Sequence, residues 1–315
     1  MHRINLEGFV QNIIQQKLVV YHVNVRQHGE VIGTLDWRDN RRDNIHSCSK
    51  VIVSLGVGIA VDEGLLSLDD KPAEIFPEKL PKNPSPYLLD IRVRDMIKMA
   101  TGHDYFILQG YDKTGKAPGR NDLNTDDWIE YAFKFDVPYK PGTHWKYNNF
   151  GPFLASAMIQ QRSGQRLVDY LKSRLFLPLG IRNPQWEETP MGRTLGCGGL
   201  CLNADEMGRI GEVCLDGTYQ GKQIVSRAYV NEATSNLIDN SMGATGPIDS
   251  TAGYGYFFWR CARDNAYSGH GWGGQFIIVL PEQDAVVTLT AHDFEGQKMF
   301  DAVWDYIVPQ LKESI

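Results

Sequence analysis

Asp43-Asn44-Ile45-His46-Ser47-Cys48-Ser49-Lys50 runs straight into Val51-Ile52-Val53-Ser54-Leu55-Gly56-Val57-Gly58-Ile59-Ala60-Val61. Apolar side chains occur on every side of this segment, which predicts a helix from about Ser47 to near Gly64 that is buried all round. Positions i and i+3 are neighbours on a helix, so Ser47 and Lys50 would share a face one turn apart. A serine hydroxyl is nearly unreactive at neutral pH, whereas a lysine that loses the solvation of its charged form becomes a proton acceptor. A helix N-terminus also favours a developing oxyanion. Ser47 is therefore a candidate nucleophile and Lys50 its candidate base, although a plain core helix with a surface lysine accounts for the same letters.

Outward from this helix, Leu6 to Lys17 carries apolar residues at helical spacing. Leu18–Val25 and Val31–Trp37, separated by the turn Gln27–Glu30, alternate as an antiparallel hairpin. From about Asp69 to Asp205 the pattern is helical or loop-like, with helices expected at 91–99, 125–133, 150–163 and 166–176 and a solvated loop at 110–124. A helix opens at Asn203-Ala204-Asp205-Glu206, and another follows from Ser226. Then the period changes to two. Gly253–Cys261, Gln275–Leu280 and Ala285–Ala291 read as strands, with a closing helix from Gln297 to about Leu311.

Strands from both chain ends must then share one sheet. The expected fold is α+β: an α/β sandwich whose antiparallel sheet is built from both chain ends, with flanking helices and an inserted, mainly helical subdomain. A single domain over 1–315 is expected, its sheet lobe at about 1–68 and 206–315 and its helical lobe at about 69–205.

The chain of 315 residues is 42% hydrophobic and 22% charged, ordinary for a globular protein able to bury a sizeable core. Its net charge of −6 argues against nucleic acid or an anionic membrane as partner. The longest apolar run is interrupted by Gly56, Gly58 and Asp62, short of the ~20 residues of a membrane span. Met1–Glu7 lacks the apolar centre of a signal peptide, so a cytoplasmic location is expected. The five cysteines, Cys48, Cys197, Cys201, Cys214 and Cys261, are odd in number and lack zinc-ribbon spacing, which predicts free thiols and no metal site.

Two further segments carry candidate chemistry. In Pro141-Gly142-Thr143-His144-Trp145-Lys146-Tyr147-Asn148-Asn149, Tyr147 and Asn149 lie two residues apart on irregular chain. That suits a phenol exchanging protons and an amide orienting a substrate carbonyl, but also a structural turn. In Ser268-Gly269-His270-Gly271-Trp272-Gly273-Gly274-Gln275, four glycines beside a strand suggest backbone close to a ligand, or a tight hairpin turn. Trp145, Tyr254, Tyr256 and Trp272 could line an apolar pocket or be ordinary core.

In combination these segments resemble the serine β-lactamase and penicillin-binding-protein superfamily, on the branch of class C enzymes, family VIII carboxylesterases and 6-aminohexanoate-dimer hydrolase. The resemblance covers nearly the whole chain, through Ser47-x-x-Lys50, Gly58–Asp70, Ile91–Gly102, Tyr147-x-Asn149, Pro178-Leu-Gly-Ile, Gly198–Met207, Tyr254-Gly-Tyr and Gly273-Gly-Gln. It implies a β-lactamase/transpeptidase-like fold and a serine hydrolase that works through a Ser47 acyl-enzyme, with Lys50 as base or proton relay and Tyr147 shuttling a proton to the leaving atom. It further implies that Asn149 contacts the substrate's carbonyl side. The Ser47 N–H and one from the strand near Gly269 and His270 would form the oxyanion hole, with Trp272 close to the substrate.

One departure stands out: class C enzymes carry Lys-Thr-Gly on that strand, and here no lysine occurs between Lys222 and Lys298. Without the cation that binds a β-lactam carboxylate, weak or no β-lactamase activity is expected; His270 is a candidate for the vacant slot, while counting back from Pro281 puts that slot nearer Ala266 to Ser268. The implied substrate is a small ester, amide or peptide-like molecule, with no cofactor. The alternatives are a non-hydrolytic penicillin-binding or sensing module, a true class C-type β-lactamase, and a D-aminopeptidase or DD-peptidase. Cys48 as nucleophile is a further alternative, although it would point ~100° away from the Ser47 and Lys50 face. The loops 102–124 and 238–251, expected to discriminate substrates, carry no readable motif.

Overall fold

A computed structural model describes residues 3–108, 123–244, 248–263 and 265–311. Six antiparallel strands form the main sheet: β1 (Val20–Gln27), β2 (Glu30–Asp36), β3 (Trp259–Arg260), β4 (Tyr267–Gly271), β5 (Gln275–Leu280) and β6 (Ala285–Ala291), in the order β2-β1-β6-β5-β4-β3. The first hairpin joins the last strands directly, with Val23 opposite Leu289 and Val25 opposite Val287. Chain ends thus meet in the centre of the sheet.

Side-chain alternation gives this sheet two buried faces. Phe276, Ile278, Val287 and Leu289 face one core, with Phe9 and Ile13 of helix α1 (Glu7–Gln15). Ile277, Val279 and Val286 face the other, with helix α2 (Ser49–Asp62). Burial on both faces explains why β5 and β6 read as nearly continuous apolar runs. Helix α3 (Phe150–Ser163) and helix α4 (Ala204–Asp216) belong to the α2 side, while helix α5 (Gly296–Tyr306) packs beside α1 on the opposite side.

Every residue from Ser49 to Ala60 of α2 is buried, as its composition requires. Among the described residues, no helix is long and apolar enough to cross a membrane. Of the solvated loop expected at 110–124, residues 110–122 lie outside the described residues, as do 245–247 of the loop 238–251.

The long strand expected over Gly253–Cys261 does not form; only Trp259–Arg260 is strand. Gly253 and Phe257 take left-handed φ values of 120° and 65°, and the Phe257 N–H donates to the Ile97 carbonyl at 2.7 Å. The chain is thereby drawn away from the sheet. Conversely, the glycine-rich segment contains a true strand, β4, paired to β5.

Candidate active site

Short strands fix the approach to Ser47. Asp43–Asn44 pairs with Leu200–Leu202, and the Ile45 N–H donates to the Leu200 carbonyl at 2.9 Å. His46 then adopts φ 49°, a left-handed conformation that a non-glycine residue holds only when its surroundings impose it. A 3-10 turn, His46–Cys48, leads into α2 at Ser49, one turn's difference from a helix running straight from Ser47. The Ser49 hydroxyl locks the turn by donating to the His46 carbonyl at 2.6 Å and accepting from the Leu200 N–H at 3.4 Å.

Lys50 is 2% exposed, and its Nζ lies 2.8 Å from Ser47 Oγ and donates to the Cys197 carbonyl at 2.8 Å. Its Nζ also lies 5.0 Å from the centre of the Tyr147 ring, over the π face, a cation–π distance. Hydroxyl, amine and aromatic ring therefore meet. The amine approaches the face of Tyr147 and not its hydroxyl, which has no hydrogen-bond partner among the described residues.

Two backbone bonds and the Asn148 side chain hold the Tyr147 segment. Lys146 N–H donates to the Met99 carbonyl at 2.8 Å, and Asn149 N–H to that of Ile107 at 3.0 Å. Asn148 Oδ1 accepts from the N–H groups of Phe150 and Gly151 at the start of α3. Asn149 is 5% exposed, and its side-chain N–H donates to the Leu108 carbonyl at 2.9 Å. One of the two side-chain N–H groups expected to orient a substrate carbonyl is thus committed to backbone, and among the described residues the buried oxygen Oδ1 has no partner.

Strand β4 ends beside the Ser47 turn, and its glycines allow that approach. A Cβ on Gly271 would lie 2.3 Å from the Ile45 carbonyl oxygen, and one on Gly269 would lie 2.5 Å from Val51 Cγ2. The close backbone contact made by these glycines is with α2 and the turn before it.

The alternating residues turn to the other face. The ring of His270 stacks on Trp259 at 5.2 Å, packs against Phe276 and Phe300, and shares a hydrogen bond with Ser268 Oγ at 2.8 Å. Burial pushes its imidazole down to about 3, so it is neutral. His270 does not meet Ser47 or Lys50. Its link to the trio is Trp259, whose indole also stacks on Tyr147 at 5.6 Å. Trp272 is 57% exposed and sets its edge against His46 at 5.4 Å and Phe294 at 4.9 Å, at the rim beside Ser47.

Cys48 is fully buried, its thiol donating to the carbonyls of Gly269 and Gln275, and burial pushes its ionisation well above the ordinary thiol range. That removes it as a rival nucleophile. Trp145, Tyr254 and Tyr256 are buried. Trp145 and Tyr254 surround Trp259, whereas Tyr256 donates its hydroxyl to Glu232 at 2.6 Å, away from the trio. Two contributors had no sequence signal as site residues: the Cys197 carbonyl, a backbone group any residue supplies, and Trp259, hidden in the segment expected to be continuous strand. Among the described residues, no group of three His, Cys, Asp or Glu is placed to hold a metal ion.

A family model described as Beta-lactamase matches residues 8–312. The chain is 27% identical over 187 residues to a lovastatin esterase of Penicillium rubens, an alignment covering 54% of this chain and 46% of that one. It spans less than half the length of the curated relatives it matches. Among solved structures, it is similar to EstCE1, a hydrolase with promiscuous acyltransferase activity, with a TM-score of 0.77, 17% identity and coverage of 95% and 97% of the two chains. A family VIII carboxylesterase superposes with a TM-score of 0.72 at 16% identity, with 96% of each chain covered. At such identities these likenesses establish the fold.

Proposed function

The chain belongs to the beta-lactamase family, and from that premise we propose that it is a serine hydrolase cleaving a small ester or amide through an acyl-enzyme on Ser47. The observation that carries this reading is the 2.8 Å contact between Lys50 Nζ and Ser47 Oγ, made by a lysine that is only 2% exposed. An amine in its neutral form at that distance takes the hydroxyl proton as Oγ attacks the substrate carbonyl. The Cys197 carbonyl and the Tyr147 ring hold it in place for that transfer.

The oxyanion of the tetrahedral intermediate is assigned to the Ser47 N–H and an N–H at the end of β4, which the small Gly269 and Gly271 let approach. Tyr147, against Lys50, passes a proton to the leaving atom. Water then attacks the acyl-enzyme, and the proton path runs in reverse. With no lysine between Lys222 and Lys298, strand β4 carries no cation for a β-lactam carboxylate, and esterase or amidase activity is favoured over β-lactamase activity.

The test is covalent labelling with a fluorophosphonate followed by peptide mass analysis. Added mass on the peptide holding Ser47, abolished by Ser47→Ala, is the expected result. Labelling that survives that substitution would end the proposal.

A further inference from the structure

On the face of β4 opposite α2, a cavity of about 320 Å³ opens between the sheet edge and the start of α5. Asp249, His270, Phe276, Phe294, Glu295 and Phe300 line it. Asp249 is 1% exposed, and its carboxylate accepts from the Ala262 N–H at 2.9 Å, Gln297 Nε2 at 2.8 Å and Trp304 Nε1 at 3.1 Å. All three donors are neutral. They give the carboxylate hydrogen bonds but no counter-charge, and among the described residues no lysine or arginine pairs with it. A buried charge without a counter-ion is costly, and a ligand cation would relieve that cost.

The surroundings point the same way. His270 carries no charge, its imidazole held at about 3 by burial. Phe276 and Phe300 supply aromatic walls, and Phe294, 67% exposed, stands at the mouth. Aromatic rings around a carboxylate make a favourable environment for an ammonium group. Among the described lining residues there is no lysine or arginine, and the nearby Lys298 is solvent-exposed and paired with Glu295 at 3.2 Å. An anionic group entering here would face Asp249 with nothing to offset it.

Two stacking contacts, Tyr147 on Trp259 and Trp259 on His270, connect the cavity to the proposed catalytic group that protonates the leaving atom. We propose that this cavity binds a cationic group, such as a substituted ammonium, on the leaving half of the substrate. The inference rests on the hydrolase reading for its role in turnover, but binding to the cavity does not.

The experiment compares acetylthiocholine with its uncharged isostere, 3,3-dimethylbutyl thioacetate, and with a carboxylate-bearing thioacetate of similar size, by thiol release. The expected kcat/KM order is cationic above neutral by roughly tenfold, with the anionic thioester slowest. Asp249→Asn should bring the first ratio close to one. Should that variant fail to fold, Phe294→Ala, at an exposed position, should lower the ratio several-fold. Separately, calorimetry of choline with the Ser47→Ala protein should show binding that is lost on adding Asp249→Asn or weakened by Phe294→Ala. Hydrolysis of all three thioesters without preference for the cation, or absence of choline binding to Ser47→Ala, overturns the inference and leaves the hydrolase intact. Choline binding without hydrolysis of any thioester has the opposite meaning: the cavity assignment stands and the hydrolase reading falls.

Discussion

The two faces of strand β4 carry different chemistry. Towards α2 the strand presents Gly269 and Gly271, with no side chain, and lies against Val51 and the Ile45 carbonyl. Towards α5 it presents Ser268 and, hydrogen-bonded to it, His270, which meets aromatic rings and lines the cavity beside Asp249. Period-two alternation lets one strand wall the nucleophile's turn and shape a ligand site independently. Changes on the first face should therefore alter the rate of chemistry, and changes on the second should alter which substrate is chosen.

The largest expected effects would sharpen that division. Lys50→Ala should slow acylation of Ser47 by about a thousandfold or more, and Tyr147→Phe by at least about a hundredfold, with modest change in KM. Burst kinetics with a p-nitrophenyl ester separate acylation from deacylation, and a normal burst rate in either variant removes that residue from the mechanism. Gly271→Ala is the next strongest test. Its Cβ would fall 2.3 Å from a backbone oxygen, so the Ser47 turn must shift, at a cost of about 1–3 kcal/mol. A lower Tm together with a reduced kcat is expected. An unchanged melting curve with full activity would break the claim that this face positions the nucleophile.

The smallest effect concerns pH. Burial holds His103 and His270 at about 3 in the fold, against an ordinary 6.5. The unfolded chain takes up those protons first, so their stabilising contribution is whole above about 6.5 and is lost as pH falls towards 3. The slope is at most about 1.4 kcal/mol per pH unit for each group. His103, fully buried on the Phe150 ring at 4.5 Å, lies on neither face of β4. Denaturant melts between pH 6.5 and 5 should show a shallower slope for His103→Leu than for the parent, with the cation preference of the cavity untouched. Equal slopes would mean that His103 is already protonated in the fold.

What was legible in the sequence follows from how each feature is encoded. The buried α2, the first hairpin and the apolar β5 and β6 announce themselves because burial of whole faces writes a period into the letters. Ser47 and Lys50 meet because three residues of helix-like chain fix their separation, and the 3-10 turn at His46 does not alter it. By contrast, Trp259 and Asp249 reach their places through left-handed turns and long-range contacts, and the Cys197 carbonyl is independent of residue type. The glycines of β4 were legible as a demand for closeness, but not as closeness to α2. The expected strand over 253–261 failed because Gly255 sits under the Ala233 carbonyl, where a Cβ would come within 2.1 Å, and Phe257 bonds to Ile97. Neither partner is visible in the local alternation.

The pairing of Val23 with Leu289 has a consequence for biogenesis. During synthesis the first hairpin leaves the ribosome long before its neighbour β6 exists, so the sheet can be completed only after the chain has been made as far as Ala291. Such non-local closure is slow, and until it occurs the apolar α2 is uncovered and open to self-association. The nucleophile is translated early but gains the wall made by β4 late, so a chain stopped before Gly271 would carry Ser47 without its site.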